Sequence, residues 1–108
     1  MIDCDKILQS WACEYAIKKP IVWRGYNLSG TTLGRAYYYP ADYSIYLNSK
    51  LTKHDIIARA VLWHEFCHCA VRNAEIIESH GENFNKWLFK KPILAIIDKL
   101  SPNAGLLS

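Results

Sequence analysis

Apolar and polar residues recur along this chain with two different periods, which predicts helices in its first and last parts and strands between them. Through residues 3–19 the apolar positions recur at helical spacing, and Pro20 ends the pattern. From residue 21 to residue 51 the chain is rich in β-branched and aromatic residues, which favour strands, and glycines interrupt it. We therefore predict one helix and then three short antiparallel strands, near residues 21–25, 32–39 and 43–48.

The remainder of the chain is predicted to be helical. Thr52 is a candidate N-cap, because Asp55 follows at the three-residue spacing of a capping box, and the long helix that starts there should end near Asn73. A third helix is expected at residues 81–90. A fourth helix is expected after Pro92, where the apolar residues are Ile93, Leu94, Ile96, Ile97 and Leu100. Residues from Ser101 onward are expected to fray.

This order of elements predicts an α+β fold. A chain of 108 residues with 51% hydrophobic residues is long enough and apolar enough to bury a core of its own, so we expect one domain, residues 1–108. The sequence has no run of about 18 apolar residues that could span a bilayer. Residues 1–6 lack the basic and apolar regions of a secretory signal. We therefore expect a cytoplasmic protein that is not bound to a membrane.

The four cysteines agree with that expectation. Cys4 and Cys13 would lie on opposite sides of the first helix, and Cys67 and Cys69 point in different directions from the long helix, so neither pair can form a disulfide. Disulfides between cysteines of different helices are compatible with the sequence. Because the chain has no CxxC pair, a structural zinc ribbon is not expected. We interpret the cysteines as small buried hydrophobic residues.

The formal net charge of +3 is unevenly distributed. Two segments are basic: one carries Lys18, Lys19, Arg24 and Arg35, and the other carries Lys86, Lys90, Lys91 and Lys99. Aromatic residues stand among them, and a basic strip with interleaved aromatic rings would suit a nucleic-acid backbone. A solvated lysine face is the commoner explanation of such segments. DNA is therefore one candidate partner.

Two histidines on the predicted long helix carry the main chemical signal. His64 and His68 lie one turn apart, about 40° from each other around the helix axis, on a stripe shared with apolar residues such as Val61, so both should face inward. A buried polar group without a partner costs about 1 to 3 kcal/mol, so something must satisfy the two rings. A divalent cation would satisfy both at once, and imidazole ligands at this spacing favour Zn²⁺.

Glu65 completes an HExxH motif, His64-Glu65-Phe66-Cys67-His68. Its side chain is angled away from the line of the two histidines, so it is poorly placed to bind the metal and well placed to contact a water that the metal activates. That position is typical of a general base. In chains of this length and average composition the motif arises by chance on the order of a few times per thousand.

His80 is the predicted third metal ligand, because it sits at the start of the predicted third helix, where a turn can bring it back toward the long helix. Glu75, Glu78 and Glu82 are the alternatives, and a carboxylate ligand would indicate a thermolysin-type enzyme instead. Three protein ligands leave the fourth tetrahedral position to water, as in catalytic zinc sites. His54 would lie about 15 Å along the helix from His64, which is too far to join.

Three blocks of sequence resemble the SprT-like metallopeptidase family. They are Leu33-Gly34-Arg35-Ala36 followed by Ile45-Tyr46-Leu47-Asn48 and Leu51, then Leu62-Trp63-His64-Glu65-Phe66-Cys67-His68, then His80-Gly81-Glu82-Asn83-Phe84. The resemblance covers about residues 20–90. It implies a zincin core of helix, small antiparallel sheet, active-site helix and ligand-bearing helix. It also implies zinc on His64, His68 and His80, with Glu65 as the catalytic base.

Many SprT-like proteins append a zinc ribbon or nucleic-acid-binding elements after the core, and we expect neither in this chain. Family members include proteases that degrade proteins crosslinked to DNA, so DNA-associated proteins are one substrate class that the resemblance implies. The leading hypothesis is a zinc-dependent endopeptidase that cleaves extended polypeptide lying along a sheet edge. The alternatives are a DNA-binding module with a mainly structural zinc and a scaffold that holds a protein partner without cutting it. None of the four candidate oxyanion donors is assigned that role, because a place in the core or on the sheet surface is the commoner one for a tyrosine: Tyr37, Tyr38, Tyr39 and Tyr43.

Overall fold

Residues 1–100 are described by a computed structural model, and they form an α+β arrangement of four helices and a three-stranded sheet. The elements in chain order are α1 (Cys4–Glu14), β1 (Ile21–Leu28), β2 (Gly34–Tyr38), β3 (Tyr43–Asn48), a 3-10 turn (Ser49–Lys53), α2 (Asp55–Asn73), α3 (Glu82–Leu88) and α4 (Pro92–Leu100). The expected fraying from Ser101 onward lies outside the described residues. Every predicted helix and strand is present within residues 1–100.

The sheet is mixed, so the prediction of three antiparallel strands was wrong in part. Its strand order is β1-β3-β2: β2 pairs with β3 antiparallel, whereas β1 pairs with β3 parallel. The chain between β1 and β3 includes all of β2, which gives the long crossover that a parallel pair requires. β3 is the central strand, and five of its six residues are buried. Alternation along a strand indicates which face is buried but not the direction of its neighbour.

Two helix boundaries also differ from the prediction. α1 ends at Glu14 rather than near residue 19, because Ala16 has a left-handed backbone (φ 54°) that no helix interior accepts. α2 begins at Asp55, and Thr52 is not its N-cap. The preceding 3-10 turn is capped instead by Asn48, whose Oδ1 accepts a hydrogen bond from Lys50 N at 2.9 Å.

The core lies between α1, the sheet and the inner face of α2, and aromatic rings fill its centre. Trp63 of α2 is fully buried, stacks on Phe66 at a centroid distance of 5.3 Å and meets Trp11 of α1 edge to face at 5.1 Å. The Trp63 indole Nε1 donates to Leu88 O at 2.8 Å, which ties the end of α3 to α2. This packing anchors α2, the helix that carries His64 and His68, and both histidines are half-buried.

All four cysteines are free, and Cys4, Cys67 and Cys69 are buried. Burial raises the pKa of the Cys67 thiol, so this residue beside the motif stays protonated and packs as a hydrophobic side chain. Among residues 1–100 no helix has both the length and the apolar character needed to cross a membrane.

Candidate metal centre

Three imidazole rings meet where α2 faces the connection to α3. The Nε2 atoms of His64 and His68 are 3.2 Å apart, those of His68 and His80 are 3.1 Å apart, and those of His80 and His64 are 3.2 Å apart. The three atoms therefore form a nearly equilateral triangle. The structure thus brings together the three residues that the sequence predicted as ligands. Within residues 1–100, these are the only three or more His, Cys, Asp or Glu residues whose ligand atoms lie close enough together to hold a metal ion.

Hydrogen bonds among these rings cannot satisfy all three Nε2 atoms. In a neutral imidazole each Nε2 either carries a proton or presents a lone pair, so at least two of three mutually close atoms must be alike. Two N–H groups, or two lone pairs, repel each other at 3.1–3.2 Å. A cation facing three lone pairs would replace that repulsion with attraction.

The triangle fits zinc in size. Tetrahedral coordination with Zn–N distances of about 2.0 to 2.1 Å places neighbouring nitrogen ligands about 3.3 to 3.4 Å apart. The observed separations of 3.1 to 3.2 Å differ from this by only about 0.2 Å. Three neutral nitrogen donors also suit zinc and other borderline divalent metals better than calcium or magnesium, which prefer oxygen.

Phe84 of α3 forms the apolar wall behind the triangle. Its ring lies 4.4 Å from that of His68, 4.9 Å from that of His64 and 5.0 Å from that of His80, centroid to centroid. The Phe84 side chain is only 2% exposed, so it limits the orientations that the three rings can adopt. The block of sequence that supplies His80 therefore also supplies the wall that orients it.

The three competing carboxylates are occupied elsewhere or lie apart from the triangle. Glu78 accepts hydrogen bonds from Phe84 N at 2.7 Å and from Asn83 Nδ2 at 3.3 Å, so it caps α3. Glu82 is exposed and pairs with Lys86 at 3.3 Å. Glu75 is an exposed residue with a left-handed backbone just after α2. His54 lies at the other end of α2, at its N-cap position. The geometry therefore favours His80 over a carboxylate.

Glu65 lies beside the triangle rather than in it. Its Oε2 is 4.0 Å from His64 Nε2, and the residue is only 6% exposed. Gly34 of β2 packs directly on this carboxylate: a methyl group built at Gly34 would lie 2.9 Å from Glu65 Oε2 and 2.7 Å from a methyl carbon of Val61. Burial raises the pKa of Glu65 to about 7, against the lowering effect of neighbouring His64.

The histidines differ in their electrostatic surroundings. Burial, together with the charges of His64 and His80, lowers the pKa of His68 to about 4, and burial also lowers the pKa of His80. Burial alone would lower the pKa of His64 as well, but its hydrogen bond with Asp98 and the nearby carboxylate of Glu65 raise it. His68 and His80 are therefore neutral at physiological pH and able to donate lone pairs.

Asp98 is the part of this centre that the sequence did not reveal. Its Oδ2 lies 2.8 Å from His64 Nδ1, although it stands 34 residues away in the chain. In the sequence, Asp98 is an acidic residue next to Lys99 in the predicted fourth helix. Charged residues are common in helices at a protein surface, so nothing in the sequence marked Asp98 as part of a site.

The basic segments and the tyrosines lie outside the triangle. Three of the eight basic residues form ion pairs: Arg24 with Asp42, Lys86 with Glu82 and Lys91 with Glu14. Of the four tyrosines that are candidate oxyanion donors, Tyr43 is buried in the core and the other three are exposed. None of them is placed in contact with the three histidines by the described contacts.

Comparison with known proteins gives one result at the level of family. The model of the SprT-like family matches residues 6–91, which is most of the chain. No curated protein and no solved structure matches the chain significantly. The matched range contains Glu65 and the three histidines of the triangle, but it ends before Asp98.

Proposed function

This chain belongs to the SprT-like family, and from that premise we propose that it is a zinc-dependent metalloendopeptidase with a zincin-like core. The proposal assigns His64, His68 and His80 as metal ligands and Glu65 as the catalytic base. The observation that carries it is the triangle of three Nε2 atoms 3.1–3.2 Å apart, with a buried carboxylate 4.0 Å from one of them. Proteins that lie on DNA are one substrate class within this proposal.

Zinc bound there would supply Lewis acidity, which lowers the pKa of a water molecule and polarises a substrate carbonyl. The chain supplies the remaining parts. The three histidines would hold the ion through their Nε2 atoms and would leave one ligand position to water. Glu65 accepts the proton of the attacking water and returns it to the leaving amine. Burial of Glu65 under Gly34 holds the carboxylate in one orientation.

The sheet offers a surface for an extended substrate. Within residues 1–100, β2 is an edge strand, because β3 pairs with it on one side only. Gly34 at the start of β2 contacts Glu65, so a peptide strand added along this edge would pass the candidate catalytic centre. Backbone hydrogen bonds would then supply most of the affinity, which suits a substrate that is unfolded or extended.

The Glu65→Gln variant tests the catalytic assignment. It keeps the size of the side chain and removes the base, so we expect unchanged zinc content and a loss of peptidase activity of roughly 100-fold or more. Activity is measured on an unfolded protein substrate with zinc-loaded material. The control is Glu75→Gln, which changes an exposed glutamate outside the triangle. Equal activity in wild type and Glu65→Gln would trace the cleavage to a contaminant and reject the assignment.

Metal content tests the third ligand. We expect His80→Ala to lose bound zinc after dialysis against a weak chelator, because two histidines alone hold the ion poorly. Three glutamate variants serve as matched controls, and each should retain one zinc per chain: Glu75→Ala, Glu78→Ala and Glu82→Ala. Elemental analysis of the purified proteins decides the result. Zinc retained by His80→Ala and lost from a glutamate variant would move the third ligand to that carboxylate.

A DNA-binding module with a mainly structural zinc is the second candidate. It is motivated by Lys90, whose Nζ lies 5.1 Å from the ring of Trp87 next to further lysines, since cations beside aromatic rings suit single-stranded DNA. This candidate requires a mobility shift that weakens with salt and on changing Lys86, Lys90 and Lys91. Absence of binding at low salt would exclude it. A scaffold that holds a partner uncut is separated from the enzyme by trapping a partner with Glu65→Gln and asking whether wild type cleaves it.

A further inference from the structure

The face that α4 turns toward α2 contains a charged residue where an apolar one would be expected. Ala95 is fully buried on that face, and the Asp98 side chain beside it is only 15% exposed. Ile97 of the same helix packs against the core, but the other two isoleucines point outward, with Ile93 73% exposed and Ile96 52% exposed. A helix oriented by hydrophobicity alone would bury more of these isoleucines and expose the aspartate. A specific interaction of Asp98 must therefore contribute to the orientation of α4.

That interaction is the contact of Asp98 Oδ2 with His64 Nδ1 at 2.8 Å. An ionised carboxylate can only accept hydrogen bonds, so His64 Nδ1 must carry the proton and donate it. The short distance is typical of a charge-assisted bond. In the neutral ring, Nε2 then presents its lone pair, and this is the nitrogen that lies 3.2 Å from the Nε2 atoms of both His68 and His80.

We infer that Asp98 is a positioning residue of the metal centre: it holds His64 in the tautomer that turns the Nε2 lone pair toward the cation. Carboxylates that accept from the second nitrogen of a ligating histidine fix its orientation and make it a stronger donor. The inference rests on the metal site of the proposed function and extends it to α4. Because the family match ends at residue 91, this helix is a part of the site that the match does not include.

Metal affinity is the first test. Losing such a partner typically lowers metal affinity by about 10- to 100-fold. We expect a loss of this size in Asp98→Ala and in Asp98→Leu, which fills the same buried position with an apolar side chain. Asp98→Asn keeps an acceptor oxygen without the charge, so its affinity should fall between those of wild type and Asp98→Leu. Zinc affinity is measured by competition with a chromophoric chelator.

Two controls show whether the loss is specific. Ile96→Ala alters an exposed position of α4, and Asp5→Asn removes an exposed carboxylate of α1; both should bind zinc as wild type does. Thermal unfolding of the metal-free proteins checks that every variant folds. If Asp98→Ala does not fold, Asp98→Leu takes its place, since an apolar side chain is compatible with the buried face of α4.

The tautomer of His64 is a second readout, independent of activity and of bound metal. Nitrogen NMR of the metal-free protein should show His64 with the proton on Nδ1 in wild type and in Asp98→Asn. In Asp98→Leu the proton should move largely to Nε2. Zinc affinity and tautomer both unchanged in Asp98→Leu would overturn the inference while leaving the proposed peptidase intact. Failure of the wild-type chain to bind zinc would overturn both.

Discussion

Gly34 matters at the candidate site because it has no side chain. Its backbone is not left-handed, so the requirement is one of space: a methyl group there would lie 2.7 Å from a Val61 methyl carbon and 2.9 Å from Glu65 Oε2. Real Cβ atoms essentially never approach so closely. Either β2 must move away from α2, or the Glu65 carboxylate must leave its position.

We expect Gly34→Ala to retain zinc and to lose most peptidase activity. Overpacking of this kind typically costs about 1 to 3 kcal/mol of stability as well. Gly30→Ala is the matched control: its backbone is left-handed (φ 71°), but nothing lies within 4 Å of the added methyl group. It should cost about 1 kcal/mol through backbone strain and leave kcat/KM unchanged. Zinc content, melting temperature and kcat/KM of both variants check this, and full activity in Gly34→Ala would show that the contact is not functional.

The residues of the candidate site differ in how far apart they lie in the sequence, and this distance decides which of them could be predicted. His64, Glu65 and His68 could be assigned from sequence because four-residue spacing on a helix fixes their relation regardless of the rest of the fold. His80 could be proposed but not separated from Glu78, since the choice depends on which side chain caps α3. Asp98 could not be found at all, because its partner is 34 residues away.

The elements show the same division. The β2–β3 hairpin and the central part of α2 depend on neighbours in sequence, and the predictions for them agree with the structure. The parallel pairing of β1 with β3 is a tertiary contact, and no period in the sequence encodes its direction. The early end of α1 depends on the backbone of Ala16, which is not a residue type that signals a helix end.

The start of α3 has no capping side chain of its own, and Glu78 takes that role. The N-cap residue of this seven-residue helix is Gly81, which has no capping side chain, and Glu78 supplies the missing acceptor by binding Phe84 N at 2.7 Å. A Cβ at Gly81 would lie 2.8 Å from the Glu78 carboxylate, so the glycine permits this approach. The loop that carries His80 is therefore held at the start of α3 by Glu78.

We expect Glu78→Ala to lower the free energy of unfolding by about 1 kcal/mol, within the range for lost helix caps. Zinc stoichiometry should stay at one per chain, because the proposed ligands are the three histidines and Glu78 binds Phe84 N instead. Chemical denaturation of the metal-free protein measures the first quantity, and elemental analysis measures the second. Glu82→Ala is the control, since its exposed pair with Lys86 contributes little. Loss of zinc without loss of stability would indicate that Glu78 binds the metal.

At the scale of the whole molecule, the candidate metal centre links parts of the chain that contribute unequally to the core. The largest buried aromatic residues, such as Trp11, Trp63 and Phe66, lie between α1, the sheet and α2. The helices α3 and α4 add fewer buried residues to the same core, Phe84 and Leu88 from α3 and Ala95 from α4. The Asp98 hydrogen bond links α4 to α2, and a cation within the imidazole triangle would link the His80 loop to α2 as well. A bound cation should therefore stabilise the His80 loop, α3 and α4 most.

We expect zinc to raise the melting temperature and to protect residues 80–100 selectively. A ligand that binds only the folded state, at a free concentration 100-fold above its Kd, adds about 2.7 kcal/mol, which for a domain of this size is roughly 10 to 20 °C. Hydrogen exchange followed by mass spectrometry should show that removing zinc with a strong chelator speeds exchange in α3 and α4, while α1, the sheet and the first half of α2 change little. His80→Ala should be insensitive to the chelator in both measurements. Equal acceleration across the whole chain would mean that the metal stabilises a single cooperative unit, and no acceleration would mean that the triangle contributes nothing to the attachment of α3 and α4.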